Sequence, residues 1–562
     1  MKTPKRIPLL ALLFLLSIFK ISAQTYAKNG MVVSSNLESS KVGRTILQQG
    51  GNAIDAAVAT AFSLAVTLPS AGNIGGGGFI VFMDSIGKTT TIDFREKAPL
   101  AATNDMYLNK DGELVKGSNH TSIKAIGVPG TVAGLYMAHK KYGKLPWKDL
   151  VQPAIDQAKN GFIFNWSLYR AAQRFTKEGN DNAFMDAYFR KENGAVLEPG
   201  DNWKQPQLAA TLTAIRDKGK DGFYKGEVAK KIALWMKENG GIITKKDLKK
   251  YEAIERKPIE GTYKGYTIYS MPPPSSGGVA LVEMMNLMEQ ADLKDIEFNS
   301  TAYVHLVAEA MRRAFADRAE HLGDADFNLD MPLEKLTSKE FAKQRFKGID
   351  MKKASVSDST KFGQLYDGQN TTHFSVLDKD GNAVSLTYTL EYSYGSRMGS
   401  EELGFIFNNE MGDFNPQPGI TKGNGQIGTA PNLVAPEKRM LSSMSPTIVA
   451  KDGKPYLVIG SPGGRTIINT VFQTVLGVLE YEMRIDKAIE ALKIHHQWLP
   501  DIIRYEKHLL SPDTRDALES MGHTLKPTNN LGSLMGITWD AENKVMTGAS
   551  DSSSPDGGAA GY

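Results

Sequence analysis

Two kinds of apolar pattern alternate along the chain, and each predicts one kind of secondary structure. Pairs of short runs rich in β-forming residues flank turns, most of them built on Asp and Gly, as in β-hairpins. Longer runs repeat apolar residues every three or four positions, which predicts amphipathic helices. The hairpins are predicted at 79–83 with 89–94, 373–377 with 383–389, 448–450 with 456–459, and 535–539 with 545–550. The clearest helices are predicted at 54–65, 133–142, 301–322 and 466–481.

Hairpins mixed with long helices favour sheets covered by helices over an all-α or all-β fold. Two segments have the composition of exposed connections. Residues 358–370 are polar and run directly into a predicted strand, and residues 415–439 are rich in Pro, Gly and Asn with little periodicity.

The first 23 residues have the order of a cleavable secretory signal. Basic residues at Lys2, Lys5 and Arg6 precede an apolar run over 7–19, and the segment ends in the small residue Ala23. About 13 apolar residues are fewer than the roughly 20 that a membrane-spanning helix requires. We therefore expect a periplasmic or secreted protein with no membrane span after the signal at 1–23 is removed.

Composition narrows the classes of function. The chain has 562 residues, with 66 Lys and Arg against 62 Asp and Glu. Four of the basic residues and none of the acidic ones lie in the first 23, so the remainder is neutral and has no electrostatic signature of nucleic-acid binding. The absence of cysteine excludes disulfides and a thiol nucleophile. Nine scattered histidines without an HExxH motif predict no metal and no cofactor.

The most informative position is Thr371, which follows the polar segment and begins a predicted strand. A threonine hydroxyl is a weak nucleophile unless a base lies beside it. An N-terminal threonine supplies its own base, because its α-amine has a pKa near 8 and lies a few bonds from the hydroxyl. Cleavage after Asn370 would create such a residue.

A second feature fits the same chemistry. The sequence Ser-Pro-Gly-Gly at 461–464 lies between a predicted strand and a predicted helix. Backbone N–H groups of Gly463 and Gly464 at such a turn can bind an oxyanion. An ordinary tight turn is the simpler alternative.

Charged and hydroxyl residues suggest what the substrate carries. Ser442 and Ser443 could hold a carboxylate, and Arg95 could clamp one with two hydrogen bonds. Glu410 and Asp413, three positions apart, suit an ammonium group. Surface ion pairs and solvated acids are the alternatives for these residues. Together the set predicts a substrate that is an α-amino acid acylated through its side chain.

At this point the sequence resembles the γ-glutamyltranspeptidase family of N-terminal nucleophile hydrolases, almost from end to end. The segments that carry the resemblance are GGNAIDA (50–56), NIGGGG (73–78), DFREKAP (93–99), GVPGTVAG (127–134), MPPPSSGG (271–278), TTHFSV (371–376), LSSMSPT (441–447), GSPGG (460–464) and the final AGY (560–562).

The resemblance implies an α+β fold, an αββα sandwich made by two subunits cut from one precursor. Self-cleavage between Asn370 and Thr371 would give a large subunit, 24–370, and a small catalytic subunit, 371–562, which stay together as a heterodimer. The substrates would be glutathione and other γ-glutamyl compounds as donors, with water, amino acids or dipeptides as acceptors.

The resemblance also implies roles for single residues. Thr371 would be the nucleophile, oriented by Thr389, and Gly463 and Gly464 would stabilise the oxyanion. The donor-binding positions would be Arg95, Ser442 and Ser443 for the α-carboxylate, Glu410 and Asp413 for the α-ammonium, and Glu391 at a position where many members have Asn.

Two departures from the family pattern stand out. Residues 415–439 match in length a lid found over the pocket of some bacterial members, but they contain no tyrosine to act as a gate. Asp551-Ser552-Ser553 stands where the family usually has Asp-Pro-Arg.

Two alternative functions remain open on the sequence. One is a related acylase that acts on cephalosporin, glutaryl or poly-γ-glutamate substrates. The other is an unprocessed periplasmic binding protein.

Overall fold

The computed structural model describes residues 24–179, 181–357, 371–419 and 427–562. The predicted signal, 1–23, and the segment 358–370 with Asn370 lie outside these ranges. Within them, no helix combines the length and the apolar character that a membrane crossing needs.

The strands and helices are numbered in chain order. The strands are β1 (Gln24–Ala27), β2 (Gly30–Ser34), β3 (Gly77–Met83), β4 (Thr89–Asp93), β5 (Phe162–Ile163), β6 (Asn202–Trp203), β7 (Ile254–Arg256), β8 (Ile259–Tyr263), β9 (Tyr266–Ser270), β10 (Thr371–Asp378), β11 (Ala383–Thr389), β12 (Thr447–Lys451), β13 (Lys454–Gly460), β14 (Ile494–His495), β15 (Ile503–Glu506), β16 (Leu525–Thr528), β17 (Met535–Asp540), β18 (Val545–Ser550) and β19 (Gly558–Gly561). The α-helices are α1 (Leu37–Gln48), α2 (Ala53–Thr67), α3 (Ser118–Thr121), α4 (Thr131–Tyr142), α5 (Trp147–Asn160), α6 (Trp166–Thr176), α7 (Ala183–Tyr188), α8 (Pro206–Lys218), α9 (Asp221–Tyr224), α10 (Gly226–Glu238), α11 (Lys245–Lys250), α12 (Gly277–Met288), α13 (Thr301–His321), α14 (Leu333–Leu336), α15 (Lys339–Phe346), α16 (Thr466–Leu479), α17 (Ile485–Glu490) and α18 (Pro512–Ser520). Single turns of 3₁₀ helix lie at Ile123–Ala125, Glu410–Asp413 and Ala430–Asn432.

Two large sheets form the centre of the molecule. In the described residues each has seven strands, ordered β1-β18-β17-β13-β12-β9-β8 in the first sheet and β19-β2-β10-β11-β3-β4-β7 in the second. Smaller sheets join β14, β15 and β16, and β5 with β6.

The two large sheets pack face to face. Side chains of β10 alternate between the two sides of the second sheet, as strand geometry requires. The hydroxyl of Ser375 donates to the carbonyls of Val458 and Met535 in the first sheet, both at 3.2 Å. Apolar residues fill the rest of this interior, among them Met31, Val33, Val81, Leu377, Ile448, Val458 and Ile537.

Helices cover the outer face of each sheet. On the second sheet, Phe374 and Val376 join a core that includes α2, all of whose residues are buried. A reciprocal capping box fixes the start of α2, because Asn52 accepts from the N–H of Asp55 and Asp55 accepts from that of Asn52. On the first sheet, α12, α13 and α16 form a comparable layer. The architecture is therefore the αββα sandwich expected from the resemblance.

The local predictions are confirmed in their kind and place. All four predicted hairpins are present, as β3–β4, β10–β11, β12–β13 and β17–β18. The four predicted helices correspond to α2, α4, α13 and α16.

The prediction that 415–439 is an exposed connection is wrong for much of the segment that the structure describes. Asn432 and Arg439 are buried, at 4% and 1% exposure. Asn432 donates to the carbonyl of Asp413, and Arg439 donates to that of Glu252. Polar side chains here make tertiary hydrogen bonds, which composition alone does not reveal.

Candidate active site

Thr371 and Thr389 face each other across the central hairpin. Thr371 is the first residue of β10 and Thr389 the last of β11, and the two are register partners. The Thr371 hydroxyl donates to the Thr389 hydroxyl over 3.4 Å. The N–H of Glu391 donates to the same Thr389 oxygen at 2.8 Å. The Thr389 hydroxyl is thus fixed beside the candidate nucleophile, which is itself only 8% exposed.

The glycine run at 75–78 allows the backbone to pack closely around this hairpin. A Cβ on Gly76 would lie 2.0 Å from the carbonyl oxygen of Thr389, and one on Gly78 would lie 2.4 Å from that of Thr387. The side chain of Asn73 adds a hydrogen bond to the Thr389 carbonyl at 2.9 Å. The NIGGGG segment therefore supports the position of Thr389 by close contact.

The predicted oxyanion turn links β13 to α16, as the sequence indicated. Gly463 and Gly464 have φ angles of 137° and 58°, which favour glycine. The carbonyl of Gly463 accepts from the N–H and hydroxyl of Thr466 at the start of the helix. Gly460, at the end of β13, packs against the ring of His373, two residues from Thr371. The turn thus leaves the first sheet beside the start of β10.

Arg95, Glu410 and Asp413 form one buried ion-pair cluster. The guanidinium of Arg95 lies 2.5 Å from a carboxylate oxygen of Glu410 and 2.5 Å from one of Asp413. Arg95 is 1% exposed, so the surface ion pair considered from the sequence is excluded. Burial lowers the pKa of Arg95, but the charges of Glu410, Asp413 and Glu96 outweigh burial and raise it. Arg95 therefore stays charged.

The same cluster contains more acid than base. Glu96 lies 3.6 Å from Arg95, and its two buried oxygens accept no hydrogen bond from the described residues. Burial, followed by the charge of Glu410, raises the pKa of Glu96. Burial likewise raises the pKa of Glu410. One guanidinium thus faces three carboxyl groups, and an additional cation would find unsatisfied acceptors here.

Glu391 lies beside a histidine that the sequence analysis did not identify. A carboxylate oxygen of Glu391 is 3.0 Å from Nδ1 of His120, whose ring stacks on Tyr392. Burial raises the pKa of Glu391 and lowers that of His120 to about 4. His120 is therefore neutral near pH 7.

Ser442 and Ser443 are held by the loop that contains the MPPPSSGG segment. The Ser442 N–H donates to the carbonyl of Pro274 at 2.8 Å. The N–H and hydroxyl of Ser276 both donate to the carbonyl of Ser442. The hydroxyl of Ser275 donates to the carbonyl of Met444. The serine pair is therefore rigidly positioned before β12 begins.

The structure adds Ser276, Arg318 and His120 to the predicted site residues. Ser276 lies in a segment that supported the family resemblance, but nothing in that segment indicated its contacts. Arg318 lies in the predicted helix 301–322 among several other charged residues. Only the fold brings these residues to Ser442, Ser443 and Glu391.

One group of possible metal ligands converges in the described part of the chain, at His305, Glu309 and His523. Glu309 is already paired with Arg312 and Arg313. His305 accepts or donates at both ring nitrogens, to His523 and to the carbonyl of Asp350. These contacts occupy Glu309 and both ring nitrogens of His305, while the buried Nδ1 of His523 has no hydrogen-bond partner among the described residues. The expectation of no metal or cofactor stays a prediction.

Known proteins resemble the chain over most of its length. The family model described as Gamma-glutamyltranspeptidase matches residues 39–562. The glutathione hydrolase proenzyme of Escherichia coli (strain K12) is 46% identical over 541 residues, covering 95% of this chain and 92% of the relative.

Solved structures also match the chain. A cephalosporin acylase from Bacillus halodurans superimposes with a TM-score of 0.82 at 26% identity, covering 96% of this chain and 97% of the acylase. The γ-glutamyltranspeptidase of Helicobacter pylori matches with a TM-score of 0.54 at 45% identity, over 56% of this chain and 90% of that chain.

Proposed function

The chain belongs to the γ-glutamyltranspeptidase family, and from that premise we propose that it hydrolyses glutathione and transfers γ-glutamyl groups to amino acids and peptides. The observation that carries this proposal is the Thr371–Thr389 pair at the open end of the β10–β11 hairpin. The buried acids around Arg95 indicate a donor that brings its own ammonium group.

Maturation begins with the bond between Asn370 and Thr371. The Thr371 hydroxyl attacks the Asn370 carbonyl carbon, the peptide C–N bond breaks, and the released amine takes the proton. Water then hydrolyses the resulting ester and leaves Thr371 with a free α-amine. The products are a large subunit, 24–370, and a small subunit, 371–562, which remain one particle.

Catalysis uses the same hydroxyl. Its oxygen attacks the γ-carbonyl carbon of the donor while the α-amine of Thr371 takes the proton. The N–H groups of Gly463 and Gly464 stabilise the oxyanion, and loss of one such donor typically costs about 3–4 kcal/mol. The intermediate collapses as the γ C–N bond breaks, and the amine returns the proton to the leaving nitrogen. Water or an acceptor amine then attacks the γ-glutamyl ester and frees Thr371.

Donor recognition divides between two groups of residues. Arg95, Ser442 and Ser443 hold the α-carboxylate. Glu410 and Asp413 hold the α-ammonium. Its positive charge adds to that of Arg95 in a cluster that contains more acidic than basic groups. Glu391, fixed between Thr389 and His120, lies along the same wall.

An acylase for glutaryl or cephalosporin side chains is the alternative, and the close superposition on a cephalosporin acylase favours it at the level of fold. A glutaryl substrate lacks the α-ammonium, so it leaves the acids around Arg95 unsatisfied. Hydrolysis rates of γ-glutamyl- and glutaryl-p-nitroanilide distinguish the two functions. We expect the γ-glutamyl donor to react faster, and faster glutaryl cleavage would contradict the proposal.

Processing has its own test. Intact mass and N-terminal sequencing of the exported protein should give two chains, the smaller beginning Thr-Thr-His-Phe-Ser. The Thr371→Ala variant should remain a single inactive chain. A single wild-type chain beginning near Gln24 would favour the binding-protein alternative and would support the export signal at 1–23.

A further inference from the structure

A buried arginine that the proposed mechanism does not use lies against the serine pair. Arg318, on α13, is 6% exposed. Its Nε donates to the hydroxyl of Ser276 at 2.8 Å, and its Nη2 donates to the hydroxyl of Ser443 at 3.2 Å. One guanidinium therefore holds two hydroxyl groups on separate loops.

Arg318 differs from the other buried arginines by having no acidic partner. Arg95 pairs with three carboxyl groups and Arg312 with two. Among the described residues, Arg318 forms no ion pair within 4.0 Å. Burial, followed by the nearby charge of Arg465, lowers its pKa to about 9. An unpaired buried cation is costly, and a bound anion removes much of that cost.

The direction of each hydrogen bond determines what the serines can do. Because the Ser443 oxygen accepts from Arg318, its own proton is available to donate to an incoming carboxylate. Ser276 accepts from Arg318 and donates its proton to the carbonyl of Ser442 at 2.6 Å. Arg318 thus orients the hydroxyl of Ser443 directly and the peptide of Ser442 through Ser276.

We propose that Arg318 is a positioning residue for the donor α-carboxylate: it turns the Ser443 hydroxyl and the Ser442 backbone towards that group and supplies the positive charge behind them. The inference rests on the proposed function and deepens it. Arg95 is shared with Glu410 and Asp413, whereas Arg318 forms no ion pair with an acid in the described structure.

Three p-nitroanilide donors separate this role from a general structural one. The γ-glutamyl donor carries both α-groups, the glutaryl donor carries only the carboxylate, and the 4-aminobutyryl donor carries only the ammonium. In Arg318→Met we expect kcat/KM to fall about 10- to 100-fold for the two donors with a carboxylate. For the 4-aminobutyryl donor, kcat/KM should change less than threefold. Because this donor reacts slowly, its hydrolysis is followed over days.

Arg312→Met is the matched control, because Arg312 is a buried arginine on the same helix that pairs with Glu309 and Asp501. It should affect all three donors equally. Equal losses on all donors in Arg318→Met, or the same selective pattern in Arg312→Met, would overturn the inference.

Ser276→Ala keeps the test informative if Arg318→Met does not fold. It removes the link to Ser442 and leaves the arginine in place, so it should lower kcat/KM for the carboxylate donors selectively, by about three- to tenfold. A uniform change would again overturn the inference. Failure of the wild type to cleave any of the donors would instead refute the proposed function.

Discussion

Asp413 is the most exposed member of the cluster around Arg95, with 36% of its side chain accessible. An ammonium group can therefore approach it from the solvent. Asp413→Asn keeps the shape and removes the charge, and the loss of a charge-assisted hydrogen bond typically costs about 1.5–3 kcal/mol. We expect kcat/KM for γ-glutamyl donors to fall about 10- to 150-fold, while glutaryl donors change little.

Asp326→Asn provides a control for this substitution. Asp326 is also a partly exposed acid paired with arginines, Arg256 and Arg439, but we assign it no contact with the donor. It should leave the preference between the two donors unchanged. Equal loss on both donors in Asp413→Asn would mean that Asp413 supports the site without contacting the ammonium.

His120 predicts a pH dependence of stability. Its folded-state pKa is lowered from 6.5 to about 4, chiefly by burial. The contribution of neutral His120 is fully present above pH 6.5 and is lost as the pH falls towards 4, because the unfolded chain binds the proton first. The full shift corresponds to about 3 kcal/mol. Relative to His120→Asn, the wild type should therefore become less stable over this window.

Thermal unfolding at several pH values tests this expectation. Both proteins should carry Thr371→Ala, so that each is a single chain. As the pH drops from 7 to 4.5, the Tm of the protein that keeps His120 should fall relative to the Tm of the His120→Asn variant. A difference in Tm that does not change with pH would show that His120 does not stay neutral in the folded protein.

At the level of elements, the turn between β13 and α16 requires glycine at position 463. A Cβ on Gly463 would lie 2.5 Å from the hydroxyl oxygen of Thr466, and φ is 137°. Gly463→Ala should displace the N–H groups and lower kcat about 100- to 1000-fold. Activity and circular dichroism measured together would show loss of turnover in a folded protein.

Gly453→Ala is the matched control at the other end of β13. Gly453 also has a positive φ, 75°, but nothing lies within 4 Å of its added Cβ. It should reduce stability modestly and leave turnover unchanged. If both variants retain activity, the turn does not bind the oxyanion.

The same elements show how far sequence could predict the structure. The β10–β11 hairpin was predictable because its arms are separated only by a short turn. The place of β2 between β19 and β10 was not, because its partners lie hundreds of residues away. For the same reason Thr371 and Gly463 could be identified from local motifs, whereas Arg318 could not. Its partners, Ser276 and Ser443, come from distant segments.

Across the whole molecule, each large sheet contains strands from both proposed subunits, paired side by side. β10 and β11 lie between β2 and β3, and β12 lies beside β9. Cleavage after Asn370 should therefore give two bands on a denaturing gel but a single particle by native mass spectrometry. Mixing the separately unfolded chains should restore little activity. Dissociation under native conditions would contradict the αββα heterodimer.

The mixed sheets also limit how the enzyme can be recombined. Each proposed cleavage product would lack the neighbours that complete its own sheets, since β2 pairs with β10 and β12 pairs with β9. Chimaeras that combine the large part of one relative with the small part of another should therefore be encoded as one open reading frame. Their crossover belongs at the junction before Thr371, where the proposed cleavage would divide a polypeptide that has already folded as a unit.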